Sequence, residues 1–363
     1  MLVCLLRIKI RSRTRQRLYA SILLCVSFLS FLLPQNVSAG ESSGIPRGVF
    51  SLAQVGQPAD PGVLANPVVD GISVRQAWRK LETSPGAYDW SFLDSEVARA
   101  GKAGKVVLLR VLSEGPGTPE WALSGVQTFS FRDKNQFHPE TTGRIAVYWD
   151  QTYLARKKAM IQALGAHFSA NPAVRVVAAI AASNHSGDWG VPHTRVDISN
   201  WHATGYSSEK MIDVCEQIID VTMQSFPRQC VTLAVGRSGR LDPDPNYVAR
   251  AGAQYGRGHY PGRFIVQKNS LAATTPPPGS PDLKHFELLW ESRPDVAGQM
   301  LWYSYGDPTC RNNGRKTPCD PEATLRRAID IGLAYQMKYI EIYEQDVLHL
   351  PSVIRYAHDS LLK

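Results

Sequence analysis

Eight short β-rich segments, most of them followed by a helical pattern, constrain this chain more than any other feature. They run Gly48–Val55, Gly71–Trp78, Lys105–Leu112, Val174–Ser183, Cys230–Gly236, Arg263–Leu271, Gln299–Tyr305 and Tyr339–Tyr343. Between them, Phe92–Ala103, Tyr153–Phe168, Ser208–Phe226 and Pro321–Gln336 carry apolar residues at helical spacing, as does Pro351–Leu362 at the end. Ser91 reads as the N-cap of the first of these helices. Short apolar runs such as Lys105-Val-Val-Leu-Leu fit a parallel sheet covered by helices. Eight strand–helix alternations predict an α/β fold, a closed (β/α)8 barrel, over an open doubly wound sheet. No Gly-x-Gly-x-x-Gly follows the first strand, so a dinucleotide-binding domain has no support.

The N-terminus reads as a secretory leader. Arg7, Lys9, Arg11, Arg13, Arg15 and Arg17 precede an apolar run from Leu18 to Leu33, closed by Pro34 and the small-x-small site Val37-Ser38-Ala39. That run is 16 residues long, short of the roughly 20 that a spanning helix needs. Leu24-Cys25 lacks the small residues of a lipid-anchor site. The expected division is a signal peptide over 1–39 and one barrel domain over 40–363, exported to the periplasm or the medium. The formal charge of the whole chain is +8; removing the six leader cations leaves about +2. A nucleic-acid surface, which needs clustered cations, is therefore not expected, nor is stable membrane insertion after cleavage. Four of the six cysteines remain, and export favours pairing, Cys215–Cys230 and Cys310–Cys319.

A barrel of this kind carries its site at the C-terminal ends of the strands. Trp78-x-x-Leu81-Glu82, Gly86-x-Tyr88-Asp89-Trp90-x-x-Leu93-Asp94, a Gly-Lys-Val strand and Pro119-x-Trp121 together resemble the β-galactosidases and endoglycanases of clan A glycoside hydrolases. The resemblance covers about residues 45–125. It implies a retaining two-carboxylate mechanism, with the acid in an Asn-Glu pair after strand four and a nucleophilic Glu on strand seven. This chain departs from both. Asn184 is followed by His185, and Gln299–Tyr305 has no carboxylate before Asp307. Either the strand count is off by one, the roles have migrated, or catalysis has been lost.

Under migration, alternation in Tyr339-Ile340-Glu341-Ile342-Tyr343 turns Glu341 toward the barrel axis, making it the candidate nucleophile or charge stabiliser. A structural Glu paired with Arg75 or Arg110 is the bland alternative. Glu344 is the reserve nucleophile, and Asp346 reads as a loop carboxylate. Asp188 beside Trp189 is the candidate acid, because desolvation raises a carboxyl pKa. His185 and His193 are alternative proton carriers. His185, Asp188 and His193 match no strong metal motif, and neither metal nor cofactor is expected. Trp78, Trp121, Trp189, Trp302, Tyr303, Tyr305 and Tyr343 supply rings that could pack on sugars. Gln54, Arg75, Arg110, Asn184, Gln267 and Asn269 could bond hydroxyls. Two functions stay open: hydrolysis of an oligo- or polysaccharide by Asp188 and Glu341, or glycan or envelope binding without catalysis.

Overall fold

Eight parallel strands close on themselves in a computed structural model that describes residues 44–113, 117–132, 143–180, 190–192, 194–283 and 286–363. They are β1 (Gly48–Leu52), β2 (Gly71–Ala77), β3 (Val106–Leu112), β4 (Val174–Ala178), β5 (Cys230–Ala234), β6 (Phe264–Leu271), β7 (Val296–Met300) and β8 (Tyr339–Tyr343). The barrel runs β1-β8-β7-β6-β5-β4-β3-β2, and Phe50 pairs with Glu341 where the last strand meets the first. The outer layer includes α1 (Ser91–Lys102), α2 (Gln151–Phe168), α3 (Arg195–Ala203), α4 (Ser208–Ser225), α5 (Tyr247–His259), α6 (Glu287–Glu291), α7 (Pro321–Ala334), α8 (Glu344–His349) and α9 (Pro351–Leu361). The expected (β/α)8 barrel is what the chain forms. No helix among the described residues is long and apolar enough to cross a membrane.

Alternation along each strand divides the apolar residues into two cores. Phe50, Leu108, Val176, Cys230, Ile265, Ala297 and Tyr339 plug the barrel interior. Their sequence neighbours, including Val49, Val107, Val177, Val231, Phe264, Val296 and Ile340, pack outward under the helices. Two residues further along five of these strands stand Arg110, Thr232, Gln267, Gln299 and Glu341, all buried. The interior thus changes from apolar to polar in one step toward the C-terminal ends.

Three sequence expectations need correction here. Strand seven is Val296–Met300 rather than Gln299–Tyr305. Its Gly and Gln weaken the pattern, whereas the aromatic residues just beyond it look more strand-like. The cap of α1 is not Ser91, which is already helical; Asp89 accepts from the Ser91 backbone N–H at 3.0 Å and from its hydroxyl. Cys310–Cys319 is bonded, but Cys215–Cys230 is not. Cys230 points into the barrel plug while Cys215 sits in the outer layer against Gly252 of α5, so the wall of β5 separates them. Burial pushes the Cys230 thiol up to about 11, leaving little thiolate.

Helix packing leans on missing side chains. A Cβ at Gly165 of α2 would lie 2.5 Å from the Ser225 carbonyl oxygen at the end of α4. Backbone cannot swing aside as a side chain can. Gly165→Ala is therefore expected to cost about 1–3 kcal/mol through overpacking, read as a lowered urea midpoint. A midpoint equal to wild type would show that the two helices part without penalty.

Candidate active site

The inner polar layer is knitted around one carboxylate. Glu341 is third of the five residues of β8, faces the axis and has no exposed surface. Its Oε2 accepts from Gln267 Nε2 at 2.6 Å and from Arg110 Nη2 at 3.4 Å. Arg110 Nη1 also donates to Gln299 Oε1 at 3.1 Å, so β3, β6, β7 and β8 are linked across the interior. Gln267 continues the chain: its Nε2 reaches Asn269 Oδ1 at 2.7 Å, while its Oε1 accepts from the Tyr339 and Thr232 hydroxyls. Among the described residues, Glu341 Oε1 has no hydrogen-bond partner. Burial, reinforced by Glu341, holds the Tyr339 phenol far above its usual range. It stays a donor.

Above this layer lies a half-open rim. Tyr343, Trp302 and Tyr303 form an aromatic triad with ring centroids 4.9–6.3 Å apart. Burial raises the Tyr343 phenol, and Arg75, Arg110 and Arg311 all pull it back, so three guanidinium fields meet there. The Arg311 guanidinium lies 4.2 Å over the Trp302 ring. Arg75 donates through Nε and Nη2 to the Ala53 carbonyl, fixing it beside β1. Gln54 is exposed in the loop after β1.

Several expected site residues are held by partners within the fold. Trp78 is fully buried, edge-on to Trp121, and its indole N–H donates to Glu82 at 2.6 Å. Glu82 also takes the Gly86 N–H, while its carbonyl takes the Trp121 indole N–H. These two tryptophans clamp the hairpin after β2, Trp78 buried and Trp121 half-buried. Tyr305 stacks on His349 at 4.3 Å rather than joining the triad. Arg110, Gln267 and Asn269 are buried in the network above. Glu344 accepts from the Asp60 backbone N–H at 3.0 Å, and burial raises its carboxyl. Asn184, His185, Asp188, Trp189 and His193 lie outside the described residues. Among the described residues no cluster of three metal-ligating side chains occurs.

Sequence reading passed over Gln299 and Thr232 as members of the inner layer, although each sits at an inward strand position, whereas the alternation of β8 already turned Tyr339 inward with Glu341. It also passed over Arg311, which no strand pattern marks.

A barrel whose interior carries a buried carboxylate below an aromatic rim is glycoside-hydrolase-like in architecture. Residues 68–182 match a family model described as beta-galactosidase. That match spans β2 to β4 and stops short of Asn184. Among solved structures, the catalytic domain of beta-amylase from Paenibacillus polymyxa is 9% identical, with 86% of this chain and 98% of that chain covered at a TM-score of 0.54. Beta-galactosidase from Bacillus circulans sp. alkalophilus is 12% identical over 83% of this chain and 50% of that one, at 0.51. Beta-galactosidase from the psychrophilic Marinomonas ef1 is 10% identical over 82% and 54%, at 0.49. The chain spans about half the length of these β-galactosidases. At such identities the likeness is one of fold. No curated protein matches the chain in sequence.

Asp346 ties the loop after β7 to α8. Its carboxylate accepts from the Ser304 and Tyr305 backbone N–H groups at 2.7–2.9 Å. Burial nevertheless outweighs these bonds and pushes the carboxyl up to about 6 from 3.8. A carboxyl that holds its proton more tightly when folded favours the fold at low pH. That contribution is complete below about pH 4 and is lost as pH rises through about 6, a change of up to about 3 kcal/mol. Asp346→Asn cannot ionise and should lack this slope. Urea midpoints across pH 4–7 check it: parallel curves for the two proteins would remove Asp346 as the source.

Proposed function

We propose that the protein is an exported glycosidase that cleaves an oligo- or polysaccharide at the C-terminal mouth of the barrel. One observation carries this reading. Glu341 is a carboxylate of the inner layer, and one of its oxygens is fixed by Gln267 and Arg110 while the other has no partner among the described residues. An orphaned buried polar atom calls for an explanation, and an attacking or charge-stabilising oxygen supplies one. Arg110 and Gln267 then act as positioning residues. They fix the carboxylate and disperse its charge. Asp188 is the proposed acid, protonating the departing sugar oxygen while Glu341 meets the developing positive charge at the anomeric carbon. Export is supported by the leader pattern and is compatible with the Cys310–Cys319 bond.

A second reading rests on its own observations. Glu341 is wholly buried against Arg110, and β7 presents Gln299 where the clan has a carboxylate. Both fit a barrel that binds glycans without cleaving them.

A screen on aryl-glycosides and on plant and bacterial polysaccharides, with Glu341→Gln alongside, separates the two. Hydrolysis should appear in the wild type and fall roughly a hundredfold or more in the variant, with its melting curve confirming the fold. Turnover unchanged in the variant would remove Glu341 from the mechanism. Glycan binding without turnover in the wild type would establish the second reading.

A further inference from the structure

Arg311 is the cation at the rim that the proposed chemistry does not use. Its backbone is held from several sides. Cys310, its neighbour, is bonded to Cys319. The Arg311 N–H donates to the Asp307 carboxylate at 2.8 Å. Asn312, next along, receives the Trp302 N–H, donates to the Trp302 carbonyl and to Ser304 Oγ, and offers its own carbonyl to the Ala273 N–H. The same turn therefore fixes both Arg311 and the ring beneath it.

The side chain is exposed, and among the described residues it makes no ion pair. Asp307 is the nearest candidate, but its oxygens serve the Thr309 N–H and hydroxyl and the Arg311 backbone N–H. A guanidinium laid over an indole keeps its charge and leaves its N–H edges available. Those edges match the two oxygens of a carboxylate or sulfate. Trp302 in turn touches Tyr343, two residues beyond Glu341 on β8.

We infer that Arg311, seated on Trp302, forms a subsite for a negatively charged sugar unit, one bearing a carboxylate or a sulfate ester, at the rim of the glycan-binding mouth. The inference rests on the mouth being a carbohydrate site and adds the class of sugar. Arg311 takes the anion through its N–H edge, and the triad borders the sugar ring. Arg75, whose charge also reaches Tyr343, adds to the attraction without a direct contact being required.

Calorimetric titration of the full mature chain tests this with three sets of oligosaccharides: uronic-acid oligomers, sulfated oligomers, and neutral xylo-, manno- and galacto-oligomers. At low salt the acidic or the sulfated set should bind tighter than its neutral counterpart, and the margin should shrink as salt is raised. Arg311→Gln should lower the charged-to-neutral affinity ratio roughly tenfold or more. Arg311→Lys should restore part of it, because a point charge lacks the two-pronged edge. The uronate and sulfate sets identify which anion is taken. Neutral oligomers binding as well as charged ones, or a ratio unmoved by Arg311→Gln, would overturn the subsite and leave the glycosidase reading standing. Failure of every glycan to bind would overturn both.

Discussion

A buried ion pair between Arg110 and Glu341 organises the interior of this barrel. Arg110 on β3 reaches across the axis to Glu341 on β8, while Gln299 accepts from Arg110 and Gln267 donates to Glu341. Burying two charges is costly, and such a pair adds little net stability over a well-packed apolar one. What it does fix is arrangement. Leaving either partner alone would strand a charge in the barrel, so the four strands that carry the network must keep their register together. The apolar plug below accepts many shapes of side chain; the polar layer accepts few.

The barrel was legible because its signal is repeated eight times. Each strand obeys the same alternation, and an error in one does not disturb the closure. The error that did occur, at β7, shows the weakness of local propensity. Val296-Ala297-Gly298-Gln299-Met300 is a poor advertisement for a strand, yet it is held between two good ones. The aromatic stretch after it has strand-like residues but leaves the sheet, because Asp346 and Asn312 claim the backbone N–H groups of Trp302, Ser304 and Tyr305.

The site was less legible, for a reason that Trp78 and Trp302 illustrate together. Both follow the last residues of a strand, and sequence alone gives them equal standing as sugar platforms. Trp78 is turned away from the mouth by its bond to Glu82, whereas Trp302 stays at the rim under Arg311. The direction of a side chain beyond a strand end depends on the loop that follows, and loops carry no period. Cys215 and Cys230 fail for a related reason. Closeness in sequence says nothing about which side of a wall each thiol faces. The inward direction of Glu341 was legible because it lies inside a strand, where alternation still fixes direction.

The residues that carry this chain's resemblance to β-galactosidases lie largely in the connection between β2 and β3. The matched stretch holds β2 to β4, and its most distinctive members, Trp78, Glu82, Gly86 and Trp121, are bonded to one another in a clamp on the barrel's flank. Such a clamp stabilises the connection between β2 and β3 whatever the mouth binds. The proposed nucleophile lies outside that stretch, on β8, although Arg110 within it bonds to Glu341. A family signal carried by a structural clamp persists through changes at the mouth. Such a clamp leaves the mouth free to vary, here with Gln299 on β7 and Glu341 on β8.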